Sequence, residues 1–234
     1  CDAVITVNRS IAGELERRYG IDGVEVILNA EKTAKLPEKP RLFHEKFGLP
    51  EQSRILLLQG GLSAGRNLET LVEAMRLVKD DAICLVMLGD GALKKSLQKR
   101  ASSAKLSERV FFHPAVPQAE LLFYTAAADA GVIPYQATCM NNYFCTPNKL
   151  FEFIAAGLPI LASDLPEMRS LVQQQGIGRV GDMQTAEKIA SQIDGFFADT
   201  EKLHTWQKNV LEARKHICWE NEGKKLVKIY EALL

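Results

Sequence analysis

An excess of charge of either sign is missing from this sequence: 29 Lys and Arg stand against 29 Asp and Glu in 234 residues. A dedicated nucleic-acid binder shows a basic excess, so that class is set aside, while a local cationic pocket for one small anion stays open. Metal-ligand spacing is missing too. The five cysteines (Cys1, Cys84, Cys139, Cys145, Cys218) include no CxxC pair and the four histidines are scattered singly, so no metal site is expected. No apolar run approaches the roughly 18 residues of a spanning helix; the longest, near 153–162, is broken by Gly157 and Pro159. The expectation is a chain without a transmembrane segment, with peripheral membrane contact left open. Reduced thiols and no secretory leader point to the cytoplasm, or to the inner face of the membrane. The chain opens at Cys1 directly on a strand-like run, which suggests a piece of something longer.

What is present is an ordinary globular balance, 47% apolar and 25% charged residues, arranged in alternating strand and helix patterns. Val4–Val7 and Val24–Leu28 are short β-branched runs flanking a helix near 11–19. Residues 29–50 hold Pro37, Pro40 and Pro50 with little periodicity, which predicts a linker with one short helical turn. Ile55-Leu56-Leu57-Leu58 is apolar on both faces, as in a buried parallel strand. Leu68, Leu71, Val72, Met75 and Val78 then fall on one helical stripe. Further strands are expected at 82–88, 110–112, 130–133 and 159–162, with helices near 93–101 and 120–128. Thr146-Pro147 predicts a helix start, with Thr146 as N-cap and Pro147 at the first position, closed by Gly157. Two amphipathic tail helices are expected, one through Leu203, Trp206 and Val210, the other through Leu226, Ile229 and Tyr230. Repeated strand–helix units call for a doubly wound α/β fold, a parallel sheet covered on both faces. Ligands in such sheets bind where strands feed loops at their carboxyl ends.

Those loops carry the candidate chemistry. Gly60-Gly61-Leu62-Ser63-Ala64-Gly65-Arg66-Asn67 leaves a buried strand and enters a helix, so its amides and Arg66 suit a phosphate group. Its spacing mimics a P-loop, but Arg66 and Asn67 stand where Lys and Ser/Thr are required, so it is no NTPase motif. A plain strand-to-helix turn fits the same residues. Gly89-Asp90-Gly91 suits either turn chemistry or close backbone approach of a ligand at Gly89. Between 118 and 163 the only charged residues are Glu120, Asp129, Lys149 and Glu152. Charges in so apolar a stretch are exposed tips or paired functional groups. Lys149 and Glu152 share a helix edge, where a lysine can meet a phosphate and a carboxylate can hold a vicinal diol; a surface ion pair is the bland alternative. The uncharged run Cys139–Cys145 offers amides and a phenol to sugar hydroxyls, or is simply a loop with two buried aromatics. Cys145 as a nucleophile lacks a nearby base.

On these residues the sequence resembles the C-terminal, donor-nucleotide half of a family-4 retaining glycosyltransferase of the GT-B fold. Five blocks occur in family order: the 60–68 loop, Leu88–Gly91, Val110–Val116, Ala128–Tyr135, and Pro147-Asn148-Lys149-Leu150-Phe151-Glu152 with its continuation to Ile160. The family's first loop pairs an Arg with a Lys five residues on; here Gly61 and Arg66 hold those positions. The family's last block carries two acidic residues separated by seven others; Glu152 matches the second and Phe144 replaces the first. A branch with a P-x-K-[LF]-x-E block is closer. The resemblance implies a nucleoside-diphosphate sugar, of UDP or GDP type, as substrate rather than a bound cofactor, and a glycan or glycolipid acceptor, with products in polysaccharide or glycolipid synthesis. It implies diphosphate binding by Arg66, Lys149, Gly60, Gly61, Thr146 and Asn148, and ribose binding by Glu152. The base would lie beside Pro114, Ala115 and Val116, and the donor sugar beside Asn141, Asn142 and Tyr143. No catalytic residue is singled out. The implied organisation is residues 1–30 as the end of an N-terminal acceptor domain missing from this chain, 31–50 as linker, 51–217 as the donor domain, and 218–234 as a helix packing back on the missing half. On that organisation the chain alone binds donor and barely turns it over, with Trp206, Trp219 and Tyr230 partly exposed; residue by residue, core packing is the competing reading. The competing expectations are a non-catalytic α/β nucleotide- or partner-binding module and a GT-B sugar-nucleotide epimerase.

Overall fold

The β-branched runs near the N-terminus pair as two short parallel strands, β1 (Ile5–Thr6) and β2 (Glu25–Val26), joined by helix α1 (Arg9–Tyr19). Both ends of α1 are set locally. The Asn8 side chain accepts the Ile11 N–H at 2.8 Å, and Gly20 takes the left-handed backbone that closes the last turn. The computed structural model describes residues 1–36 and 38–234; Pro37 of the expected linker lies outside the described residues. The linker's short helix, α2 (Leu42–Phe47), is anchored by the wholly buried Phe43.

From here strand and helix alternate: β3 (Arg54–Gln59), α3 (Leu68–Ala74), β4 (Ile83–Leu88), α4 (Lys94–Ser103), β5 (Val110–His113), α5 (Gln118–Ala126), β6 (Ala130–Ile133), α6 (Met140–Phe144), α7 (Asn148–Ala155) and β7 (Ile160–Ser163). Then come α8 (Pro166–Met168), which runs on as a π-helical turn to Gln173, β8 (Gly178–Gly181), α9 (Ala186–Ala198), α10 (Thr200–Ala213) and α11 (Trp219–Glu231). Six strands form one all-parallel sheet in the order β5-β4-β3-β6-β7-β8. This is the expected doubly wound, Rossmann-like α/β architecture. Chain order reverses between β3 and β6, so the loops leaving those strands diverge and open a crevice at their carboxyl ends.

Successive strand residues face opposite sides of a sheet, and both sides are covered here. Leu56 and Leu58 pack with Leu71, Leu97 and Ile193, while Ile55 and Leu57 pack with Leu150, Phe153 and Ile154. Each such side chain stabilises the fold by about 1.5–3 kcal/mol, which is why β3 has no apolar–polar alternation. Gly131 in β6 seats α7 on the sheet: a Cβ there would lie 2.4 Å from the Phe153 ring. That contact sets the first turn of α7 at the crevice.

Several expectations are corrected. Helix α7 begins at Asn148, so Pro147 occupies the cap position and Thr146 lies before it; no side-chain cap is made. The Thr146 hydroxyl instead accepts a hydrogen bond from Asn8, far away in sequence. The stretch 139–145 holds the short helix α6 (Met140–Phe144), which has no buried residue, and Tyr143 is exposed. Three long helices, not two, follow β8, because α9 precedes the expected pair. Trp219 and Tyr230 are exposed, and Trp206, which stacks on Phe196 at the edge of the core, is partly exposed, as expected of all three. No helix among the described residues is long and apolar enough to cross a membrane.

Candidate functional site

The site is built from the β3 loop and the start of α7. Gly60 leaves β3 with φ 101°, a left-handed conformation that glycine accepts without strain. Its N–H donates to the Leu88 carbonyl at 2.9 Å, and the Leu62 N–H donates to the Asp90 carbonyl at 2.9 Å. The loops after β3 and β4 therefore lie backbone against backbone. A Cβ at Gly89 would stand 2.0 Å from the Gly60 carbonyl oxygen, and one at Gly91 would stand 2.4 Å from that of Leu62. Gly89 thus admits the neighbouring loop rather than a ligand.

Over this loop two cations converge. The Lys149 Nζ and an Arg66 guanidinium nitrogen lie 3.8 and 3.9 Å from the point where a Gly60 Cβ would stand. Arg66 donates to the Gly61 carbonyl at 3.0 Å, and both cations lie over the face of Tyr135, at 5.9 Å for Arg66 and 5.4 Å for Lys149. Lys149 is only 4% exposed, and its Nζ has no hydrogen-bond partner. Burial, seconded by the Arg66 charge, pushes its pKa down to about 7 against a weaker opposing pull from Glu152. A desolvated ammonium with unused donors is costly unless an anion joins it.

Glu152, one turn further along α7, lies on the same edge. Gln59 donates to its carboxylate and accepts in turn from the Thr125 hydroxyl at 2.9 Å, which orients the amide. Burial pushes the Glu152 carboxyl above its ordinary range, opposed by the Gln59 hydrogen bond and reinforced by the neighbouring Glu31 charge. Cys145 borders the same space, and burial pushes its thiol up to about 11, the wrong direction for a nucleophile.

These groups surround a cavity of about 530 Å³. Of the residues singled out in the sequence, Gly60, Gly61, Arg66, Asn141, Asn142, Asn148, Lys149 and Glu152 line it together. Asn142 is tied to the Gly65 carbonyl at 3.2 Å, joining α6 to the β3 loop. Thr146 is buried against Asn8 and is not among the lining residues. Tyr143 borders a different, smaller cavity beside Ser163 and Asp164. Pro114, Ala115 and Val116 border neither of these; the Ala115 N–H is bound by Asp90 at 2.9 Å. Gln59 and Tyr135 are site residues that sequence reasoning passes over. The signal for Gln59 was a lone amide ending an otherwise apolar strand.

Glu152 is also the wall of a second cavity, about 470 Å³, between α5 and the segment 31–34. It is largely apolar, with Leu121, Leu122 and Ala155 on its surface and Glu31, Lys32 and Gln118 at its polar points. A polar, cationic chamber therefore adjoins an apolar one across a single carboxylate.

Comparison with known proteins bears on the family and the fold. The chain is 22% identical over 247 aligned positions to a D-inositol 3-phosphate glycosyltransferase of Xylanimonas cellulosilytica, covering 98% of this chain and 56% of that protein. It is 28% identical over 127 positions to the probable glycosyltransferase WbjE of Pseudomonas aeruginosa, covering 53% of this chain and 31% of that one. The chain thus spans about half or less of the curated relatives it matches. Among solved structures, HepE of Anabaena in complex with UDP superposes with a TM-score of 0.82 at 17% identity, over 99% of this chain and 64% of that one. Sucrose-phosphate synthase of Thermosynechococcus elongatus superposes with a TM-score of 0.80 at 23% identity, over 100% and 58%. The family model described as glycosyl transferases group 1 matches residues 41–213, which contain the whole six-stranded sheet. The chain belongs to the group 1 glycosyl transferases.

Proposed function

We propose that this chain is the donor half of a retaining glycosyltransferase of the P-x-K-[LF]-x-E branch, and that it binds a nucleoside-diphosphate sugar of UDP or GDP type. The carrying observation is the buried Lys149 ammonium without a hydrogen-bond partner, placed beside Arg66 over an exposed glycine backbone. The diphosphate lies in the cationic chamber, between Arg66, Lys149 and the open amides at the start of α7. The nucleoside enters the apolar chamber, and Glu152 at the junction accepts the ribose hydroxyls. This moves the base from the Pro114–Val116 loop to the space between α5 and residues 31–34. Asn141 and Asn142 face the sugar end of the cationic chamber. HepE, a structural neighbour, has been solved with UDP, which supports a uridine or similar nucleotide here.

In the reaction, the bond from the sugar's anomeric carbon to the diphosphate oxygen breaks as an acceptor hydroxyl of a glycan or glycolipid bonds to that carbon from the same face, so configuration is retained, and the hydroxyl's proton passes to the departing diphosphate. Negative charge grows on the departing diphosphate, and the two cations and helix amides stabilise it there. The acceptor side belongs to an N-terminal domain whose last unit is 1–30, with 31–50 as linker and 51–217 as donor domain. Residues 218–234 bridge the two: the Trp219 N–H binds the Glu31 carbonyl at 2.9 Å, and Glu222 accepts from the Leu28 N–H at 2.9 Å. We place the reaction on the cytoplasmic side, with all five cysteines free.

Titration calorimetry with UDP, GDP and ADP tests this reading. One of them binds in the micromolar range, and Glu152→Gln weakens that binding by about tenfold. The matching 2′-deoxynucleotide binds wild type about as weakly as the ribonucleotide binds the variant, and the variant discriminates little between the two. Wild-type affinity that is indifferent to the 2′-hydroxyl removes Glu152 from ribose recognition.

A further inference from the structure

Asn8 belongs to the β1–α1–β2 unit, yet it is wholly buried against the segment that leads into α7. Its Oδ1 caps α1 by accepting the Ile11 N–H at 2.8 Å. Its Nδ2 faces the other way, donating to the Phe144 carbonyl at 2.7 Å and to the Thr146 hydroxyl at 3.2 Å. Two residues further, the Ser10 N–H donates to the Glu167 carboxylate of α8 at 2.7 Å. The start of α1 therefore grips two donor-domain segments at once, and the Asn8 amide holds the residues on either side of Cys145. Directly before that point lies α6, which brings Asn141 and Asn142 to the cavity. Directly after it lies the first turn of α7 with Lys149.

We propose that Asn8 is a positioning residue for the nucleotide site: its amide latches the β1–α1–β2 unit to the 139–147 segment and holds that segment in its binding shape. The inference rests on the donor-site reading above and adds a coupling to it. A movement of the N-terminal unit away from the sheet breaks the Nδ2 contacts and frees the segment. By reciprocity, a nucleotide that favours the latched segment tightens the latch by the same factor.

Cys145 reports on the latch without any ligand, since its thiol is half-buried and donates to the Asn142 carbonyl at 3.2 Å. Cys84, buried near the amino end of β4, serves as the internal standard because it lies at the opposite end of the strands from the latched segment. Asn8→Asp keeps the α1 cap but sets a carboxylate oxygen against the Phe144 carbonyl; Asn8→Ser keeps the cap and loses the reach. Ala12→Gly weakens α1 without removing any hydrogen bond to the segment. In both Asn8 variants, the alkylation rate of Cys145 relative to Cys84 rises about tenfold or more, as expected for a locally opened segment, and UDP or GDP affinity falls. In Ala12→Gly the ratio stays at the wild-type value. An unchanged ratio in Asn8→Asp overturns the latch whatever the nucleotide data show. Failure of wild type to bind any nucleoside diphosphate overturns the donor-site reading instead, while the thiol ratio still decides whether Asn8 holds the segment.

Discussion

Lys149→Met raises the melting temperature and, in the same protein, weakens nucleoside-diphosphate binding by about 100-fold. The two effects have one cause. The ammonium is held nearly out of water, beside another cation and with no hydrogen-bond acceptor, so the free protein carries its desolvation cost. A methionine of similar length fills the space without that cost, for a gain of about 1–2 kcal/mol, or about 2–8 °C in a chain of this size. Binding loses a charge-assisted contact in a desolvated chamber, a loss of about 2–5 kcal/mol. The pH dependence has a definite sign. Unfolded, the lysine titrates in its ordinary range near 10.4; folded, it titrates near 7. Between those values the unfolded chain holds more protons, so this group's penalty is full below pH 7 and fades as pH rises toward the unfolded value. Wild type and Lys149→Met should therefore converge in stability at alkaline pH. Equal melting temperatures at pH 6 would mean that the ammonium finds a partner the structure does not give it.

Gly89→Ala has the second large effect, destabilising the fold and removing nucleotide binding together. Gly89 has φ 147°, and a Cβ there would stand 2.0 Å from the Gly60 carbonyl oxygen, with backbone rather than a flexible side chain in the way. Backbone strain and overpacking together cost about 2–5 kcal/mol, which lowers the melting temperature by roughly 5–15 °C. Relief requires the Gly60 loop to move, and that loop is the floor beneath Arg66 and Lys149. Substitution at Gly61 is the control: its φ is ordinary, and a Cβ there meets only the end of Arg66 at 3.3 Å. Gly61→Ala should keep its fold and most of its affinity. A Gly89→Ala protein that melts like wild type and binds normally would show that the two loops are not packed as described.

The sheet was legible because its strands are buried on both faces, which leaves uninterrupted runs such as 55–58 and 83–88 that no amphipathic element produces. Lys149 and Glu152 stood out because a nearly uncharged stretch surrounds them. What escaped was set by contacts between distant segments. Thr146 has the chemistry of an N-cap, but Asn8 captures its hydroxyl and α7 starts later. β8, with its sequence Gly-Arg-Val-Gly, is too short and too glycine-rich to announce itself, and it forms only as the edge partner of β7. The helix α9 was readable in Ile189, Ile193, Phe196 and Phe197 after the Thr185 cap, and two tail helices undercount that pattern. Nor can local pattern locate the apolar chamber, since its walls come from segments that only the tertiary fold brings together.

Proton uptake on binding is the most direct check on the claim that Lys149 and Arg66 grip a diphosphate. UDP and GDP are titrated calorimetrically in buffers of different ionisation enthalpy at pH 6 and pH 8. Free Lys149 is mostly neutral at pH 8 and becomes charged against the diphosphate, so wild type takes up close to one proton there. At pH 6 the lysine is already charged and the terminal phosphate, with a pKa of about 6, releases protons instead. Lys149→Met shows no uptake at pH 8. Tight binding with no proton uptake at pH 8, or identical proton counts in wild type and Lys149→Met, would contradict the account.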